Sequence, residues 1–150
     1  MSFKAIWYFF AHWGDKSMSS GATGKPMAIT GIVPQLRTTD MASSIRFYTE
    51  KLGFSVEFKY QDFYTGIRAG GQIFHLKLVD EKDPSIPYVD EGEHFHLYLQ
   101  TNGISEFAAQ LKANGVDLVK DVHNTPWNTR EIVIHDDQGH TLYLGEPCNG

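Results

Sequence analysis

The chain has 150 residues, 41% hydrophobic and 21% charged, the proportions of an ordinary globular domain able to bury a core without staples. A formal charge of −5 excludes the basic stripe of a nucleic-acid binder, and no apolar run reaches the ~20 residues that span a bilayer, so neither nucleic acid nor membrane is an expected partner. The single cysteine, Cys148, excludes an internal disulfide and suits a reducing compartment, the cytoplasm. Residues 1–26 hold a short apolar run, Ala5 to Phe10, and a Ser/Gly-rich stretch, Ser17 to Lys25. The run is too short for a secretory signal, so the segment reads as an N-terminal extension, disordered or packed on the domain, with Met27 a candidate start.

From Ile32 to Thr38 the pattern is a strand, and Met41 to Leu52 a helix whose apolar stripe is Met41, Ile45, Tyr48 and Leu52. Asp40 is its N-cap and Gly53 its C′ residue. Alternation at Phe54, Val56, Phe58 and Tyr60 predicts a half-buried strand. Phe63 to Ala69 and Ile73 to Val79 complete the half, around a Gly70-Gly71 turn. The segment Asp80 to Glu93, with Pro84, Pro87 and six acidic residues, reads as a solvated loop. The order then repeats: a strand at Phe95 to Thr101, a helix at Gly103 to Asn114 with Ile104, Phe107, Ala108 and Leu111 apolar, and strands near Leu118 to Val122, Arg130 to Asp136 and Thr141 to Leu144. Asp40 to Gly53 and Asn102 to Gly115 are both intervals of 13 positions. The fold class is therefore α+β, with residues 27–150 forming one domain of two tandem βαβββ modules, 30–80 and 93–147.

The run LRTTDMASSIRFYTEKLGF resembles the opening of vicinal-oxygen-chelate proteins: glyoxalase I, extradiol dioxygenases and bleomycin-resistance proteins. The tail PWNTREIVIHDDQGHTLYLGEP and the FHLKL at Phe74 to Leu78 resemble the bleomycin-resistance branch most, with Asn128, Asp137 and His140 departing from its usual Gly, Pro and Asn. The resemblance covers roughly residues 30 to 147 and implies that each module curls into an open sheet, two such sheets enclosing a cup. Enzymatic members hold a metal there through the first and last strand of each half. Carried over one at a time, those positions fall on Val33, His75, His96 and Tyr143.

A divalent ion needs three or four N, O or S donors and an open position. Val33 has none, Tyr143 is a phenol with an ordinary pKa near 10, and the glutamate of glyoxalase I is absent at 75 and 143. No cofactor is expected; the alternative is a divalent metal ion on His75 and His96, read as lying on neighbouring strands and pointing the same way. His94, His123, His135 and His140 read as hydrogen-bonded filler or exposed.

Strand parity then lines the implied cup with Gln35 and Arg37, Ile73, His75 and Lys77, His96, Tyr98 and Gln100, Thr141 and Tyr143, and with no carboxylate. Phe63, Tyr64 and Trp127 read as rim aromatics on turn-like segments, Trp127 the best placed to stack on a ligand. Glu131 is expected to pair with Arg130 or Arg37 and is given no catalytic role. The ligand-binding candidates are thus Gln35, Arg37, His75, Lys77, His96, Tyr98, Gln100, Trp127 and Tyr143; no residue is assigned as catalytic. The resemblance implies a homodimer that binds a drug or metabolite by sequestration, as bleomycin-resistance proteins hold a cationic glycopeptide. Arg37 and Lys77 depart from that pattern and suit a smaller neutral or anionic ligand. The alternative is a metal-dependent lyase, isomerase or dioxygenase rearranged around His75 and His96.

Overall fold

In a computed structural model describing residues 27–148, the same arrangement of one helix and four strands occurs twice. The first module comprises β1 (Gln35–Thr38), α1 (Met41–Arg46) running into a π turn (Phe47–Lys51), β2 (Ser55–Tyr60), β3 (Tyr64–Ala69) and β4 (Gln72–Leu78). The second comprises β5 (Leu97–Gln100), α3 (Ile104–Ala113), β6 (Leu118–Asn124), β7 (Thr129–His135) and β8 (Thr141–Pro147), with α2 (Ser85–Glu91) between the modules. The sheets have orders β1-β4-β3-β2 and β5-β8-β7-β6. In each, the first strand pairs in parallel with the last, which brings the chain's two ends of a module side by side. The extension at residues 1–26 lies outside the described residues.

Capping and periodicity explain α1. Asp40 accepts a hydrogen bond from the Ser43 N–H at 2.9 Å, and Gly53 ends the segment at φ 74°. Met41, Tyr48 and Leu52 face inward, against Leu36, Ile67, Phe74 and Leu76 on one side of the first sheet. Ile104, Ala108 and Leu111 of α3 cover the matching side of the second sheet, where Leu97, Ile132, Ile134, Leu142 and Leu144 are buried. All of these belong to one continuous core, and each fully buried Leu or Ile contributes about 1.5–3 kcal/mol.

Three expectations need correction. The Asp80–Glu93 segment is not all loop: Ser85 to Glu91 form α2, which tolerates Pro87 because a first-turn residue has no intrahelical N–H bond to lose. The β2 strand is exposed along its whole length rather than half-buried. A bulge between Val56 and Phe58 breaks its alternation: Val56 opposes Ile67 on the helix side, whereas Phe58 opposes Gly66 on the other face. The opening strand starts at Gln35, three residues late, leaving Ile32 and Val33 exposed ahead of it.

The modules are joined through polar groups at one end of α1. Tyr48, fully buried, donates its hydroxyl to Asp136 Oδ2 at 2.7 Å. Ser44 donates to Asp137 at 2.8 Å, and Gln138 Oε1 accepts from the Thr39 N–H at 3.0 Å. Asp136 also accepts from the backbone N–H groups of Gln138, Gly139 and His140, and from His140 Nδ1 at 2.8 Å. Burial pushes the Asp136 carboxyl upward, but the His140 and Tyr48 contacts outweigh it and hold the group below its ordinary range. Burial, followed by the Asp136 charge, raises the Tyr48 phenol well above its own.

Candidate functional site

Strand alternation leaves each sheet a second face, turned away from its helix. On the first sheet the register sets Gln35 beside His75 and Arg37 beside Lys77, with Gly66 and Tyr64 next in line. Gln35, Arg37, His75 and Lys77 are therefore brought together as expected from parity. Tyr64 is not at a turn but on β3, opposite Lys77. Its hydroxyl accepts from Gln35 Nε2 at 2.9 Å and lies 2.9 Å from His75 Nδ1. The phenol and Nδ1 share one hydrogen bond, whose direction is set by the imidazole tautomer. Phe58, redirected by the bulge, stacks on Tyr64 at 6.3 Å and meets His75 edge-on at 5.2 Å. Gly66 makes room for it, since a Cβ there would land on the Phe58 ring.

Beside these groups an open cleft of about 490 Å³ is lined by Gln35, Arg37, Lys77, Val79, Glu81, Lys82 and Pro84. Its floor is β1 and β4, and its wall is the start of the inter-module segment. Asp83 reaches Arg37 at 3.9 Å, accepts from the Ser85 hydroxyl at 2.7 Å and lies 3.8 Å from His140 Nε2.

The second sheet presents Tyr98, Tyr143 and Val133 in one row, and Gln100, Gly145 and Glu131 in the next. Here the expected absence of a carboxylate is wrong. Glu131, 2% exposed, lies under the aromatics and accepts on one oxygen from Thr129 Oγ1 (2.7 Å), Tyr98 Oη (3.0 Å) and Trp127 Nε1 (3.2 Å). Its supposed partners are engaged elsewhere, Arg130 with Glu146 at 3.3 Å and Arg37 with Asp83. Tyr98 reaches Glu131 across Gly145, where a Cβ would collide with its hydroxyl. Phe95 packs on Tyr98 and Tyr143 at 5.7 and 5.5 Å, and Val133 is buried beneath. This face is filled by its own side chains, with Gln100 exposed at its end, whereas the first face is open.

His96 departs from the expected lining. The chain bends before β5, and its ring turns to the α2 side, 4.8 Å edge-on to the buried His140. Its Nδ1 accepts from the Thr141 N–H at 3.0 Å, so Nε2 carries the hydrogen and donates to Ser85 Oγ at 3.1 Å. Burial, then the neighbouring His140 charge, holds this imidazole below its ordinary range. Because Nε2 donates, His96 does not act as a base toward the Ser85 hydroxyl, which gives its own proton to Asp83. His75 is on β4 of the first sheet and His96 lies just ahead of β5 of the second, so the two are not on neighbouring strands, and their contacts form separate sets. Burial raises the Tyr143 phenol, which keeps its proton and donates to the Glu93 carbonyl at 3.2 Å. Val33 is an exposed aliphatic ahead of β1. Among the described residues, no three His, Cys, Asp or Glu side chains converge in a metal-binding geometry, and the four positions implied by resemblance do not make a donor set.

The family model described as Glyoxalase/Bleomycin resistance protein/Dioxygenase superfamily matches residues 29–144. Among solved structures, a glyoxalase-related enzyme from Clostridium phytofermentans is 21% identical, with a TM-score of 0.67 over 83% of this chain and 99% of that one. A bleomycin-binding protein complexed with bleomycin is 22% identical, with a TM-score of 0.61 over 79% and 98%. Lactoylglutathione lyase from Agrobacterium tumefaciens is 16% identical, with a TM-score of 0.60 over 79% and 95%. At these identities the likeness is one of fold. No curated protein sequence matches the chain. Among the described residues no helix is long and apolar enough to cross a membrane.

Proposed function

This chain belongs to the Glyoxalase/Bleomycin resistance protein/Dioxygenase superfamily, and from that premise we propose that it binds a small organic molecule and sequesters it without a catalytic metal. The observation that carries the reading is the chemistry of the four metal positions. One is an aliphatic, one a phenol that burial keeps protonated, and one an imidazole with both nitrogens engaged by the protein. The fourth is His75, half-buried with Nδ1 on the Tyr64 hydroxyl. One imidazole does not hold an ion in a Lewis-acid geometry.

The cleft on the first sheet supports binding: an open concavity with placed polar groups, with the Tyr64 and Phe58 rings on the same sheet face, suits an organic ligand. Among the described residues that line the cleft there is no hydroxyl or thiol to act as a nucleophile. The proposed binder is a homodimer in a reducing compartment, the partner chain closing the open face, with antibiotic resistance as the biological setting. Bleomycin itself is disfavoured, because the cleft gathers Arg37, Lys77 and Lys82 rather than carboxylates.

A panel titration followed by ¹⁵N–¹H correlation spectra tests this. Ligands of the class should shift residues around Gln35, His75 and Lys77 and be recovered unchanged after overnight incubation. Recovery of a converted product would overturn it.

A further inference from the structure

We propose that the ligand of the first-sheet cleft is a small aromatic carboxylate, its anion held between Arg37 and Lys77 and its ring laid against Tyr64; this rests on the binding reading above. The starting point is a cost. Arg37 and Lys77 are direct register partners on adjacent strands, and like charges placed opposite one another destabilise a sheet. The structure offsets little of this. Asp83 approaches Arg37 only at 3.9 Å, and that contact is about half exposed on the arginine side. Lys82 adds a third cation to the cleft, against Glu81 in the lining and Asp83 beside Arg37. A chain of net charge −5 thus gathers three cations around this open cleft.

Two donors on neighbouring strands, one a planar fork and one a point charge, suit the two oxygens of a carboxylate. The adjoining surface supplies the rest. Tyr64 is the next register partner after Lys77, and its ring is held by the bond from Gln35 and by Phe58 stacked at an interplanar angle of 19°. That fixed, nearly parallel pair offers a flat wall beside the cations, where a planar ring loses little freedom on docking.

Salicylate, salicylamide and inorganic phosphate are the probes, each titrated into the ¹⁵N-labelled full chain at low salt. Salicylate should shift Gln35, Arg37, Tyr64 and Lys77 and bind at least tenfold more tightly than the neutral amide. Raising the salt should weaken it. R37Q and K77M should each cost at least fivefold in affinity with unchanged circular dichroism, and K112M, on the far module, should cost nothing. Equal binding of salicylate and salicylamide, or shifts confined to Tyr98 and Trp127, would overturn the inference while leaving sequestration intact. Phosphate displacing salicylate at equal concentration would overturn the aromatic half. Absence of saturable shifts with all three probes would overturn the whole inference, and conversion of salicylate would instead overturn the sequestration reading.

Discussion

Removal of one oxygen, in Tyr48→Phe, tests how the two modules are held together. The phenol sits in the first module, fully buried, and gives its proton to Asp136 of the second at 2.7 Å. The ring itself stays packed against Phe74 and Phe54, so the substitution deletes the hydrogen bond and little else. A hydrogen bond to a charged acceptor contributes about 1.5–3 kcal/mol. Asp136 retains three backbone N–H donors and His140, which places the expected loss near the middle, about 2 kcal/mol. An unfolding entropy of roughly 2.1 cal/mol/K per residue over the ~120 described residues gives about 0.25 kcal/mol/K, so Tm should fall by about 8 °C. Urea unfolding followed by circular dichroism reads the free energy directly. In a cycle with Asp136→Asn, the two losses should be less than additive, with a coupling above about 1 kcal/mol. A loss under about 0.5 kcal/mol, or additive effects, would refute the reasoning that this contact ties the modules.

The other predictions concern the second face and acid sensitivity. Gly145→Ala should cost about 1–3 kcal/mol by pushing the Tyr98 hydroxyl off Glu131, and Tyr98→Phe in the same chain should recover part of that loss in urea unfolding. Glu131→Ala should cost about 3 kcal/mol, because Thr129, Tyr98 and Trp127 would lose a shared buried acceptor; a loss below 1 kcal/mol would show the carboxylate to be dispensable. Burial and His140 keep the folded-state pKa of His96 below the unfolded value near ~6.5, so its contribution is full above that pH and is lost as pH falls below it. Asp83 and Asp136, held low in the folded state, contribute above ~3.9 and fail only at lower pH. Urea midpoints should therefore fall between pH 7 and 5, and His96→Gln should flatten that slope; an unchanged slope in the variant would contradict the assignment.

The repeat, both long helices and most strands were legible because their signals are local: a capped 3.6-residue stripe at Met41 to Leu52, and the Gly70-Gly71 turn. That turn also fixes Tyr64 opposite Lys77, so counting across the hairpin would have added it to Gln35, Arg37, His75 and Lys77 on the first face. What stayed hidden depends on pairing between distant strands. The Phe58 side chain reaches the face of His75 and Tyr64 through a bulge that alternation alone misreads. Glu131 lines the second face because β7 opposes Gly145 of β8 and leaves space beneath Tyr98. His96 follows parity only if its strand extends that far, and the strand begins one residue later. The α2 helix is masked by its prolines, Pro84 at the N-cap and Pro87 in the first turn, where a helix accepts them.

Elemental analysis of protein purified without chelator, together with a His75→Ala/His96→Ala double variant, tests the central claim most directly. Well below 0.1 equivalent of Ni, Zn, Mn or Fe per chain, the same in both proteins, is the result the account predicts. A stoichiometric ion, lost in the double variant, would contradict it.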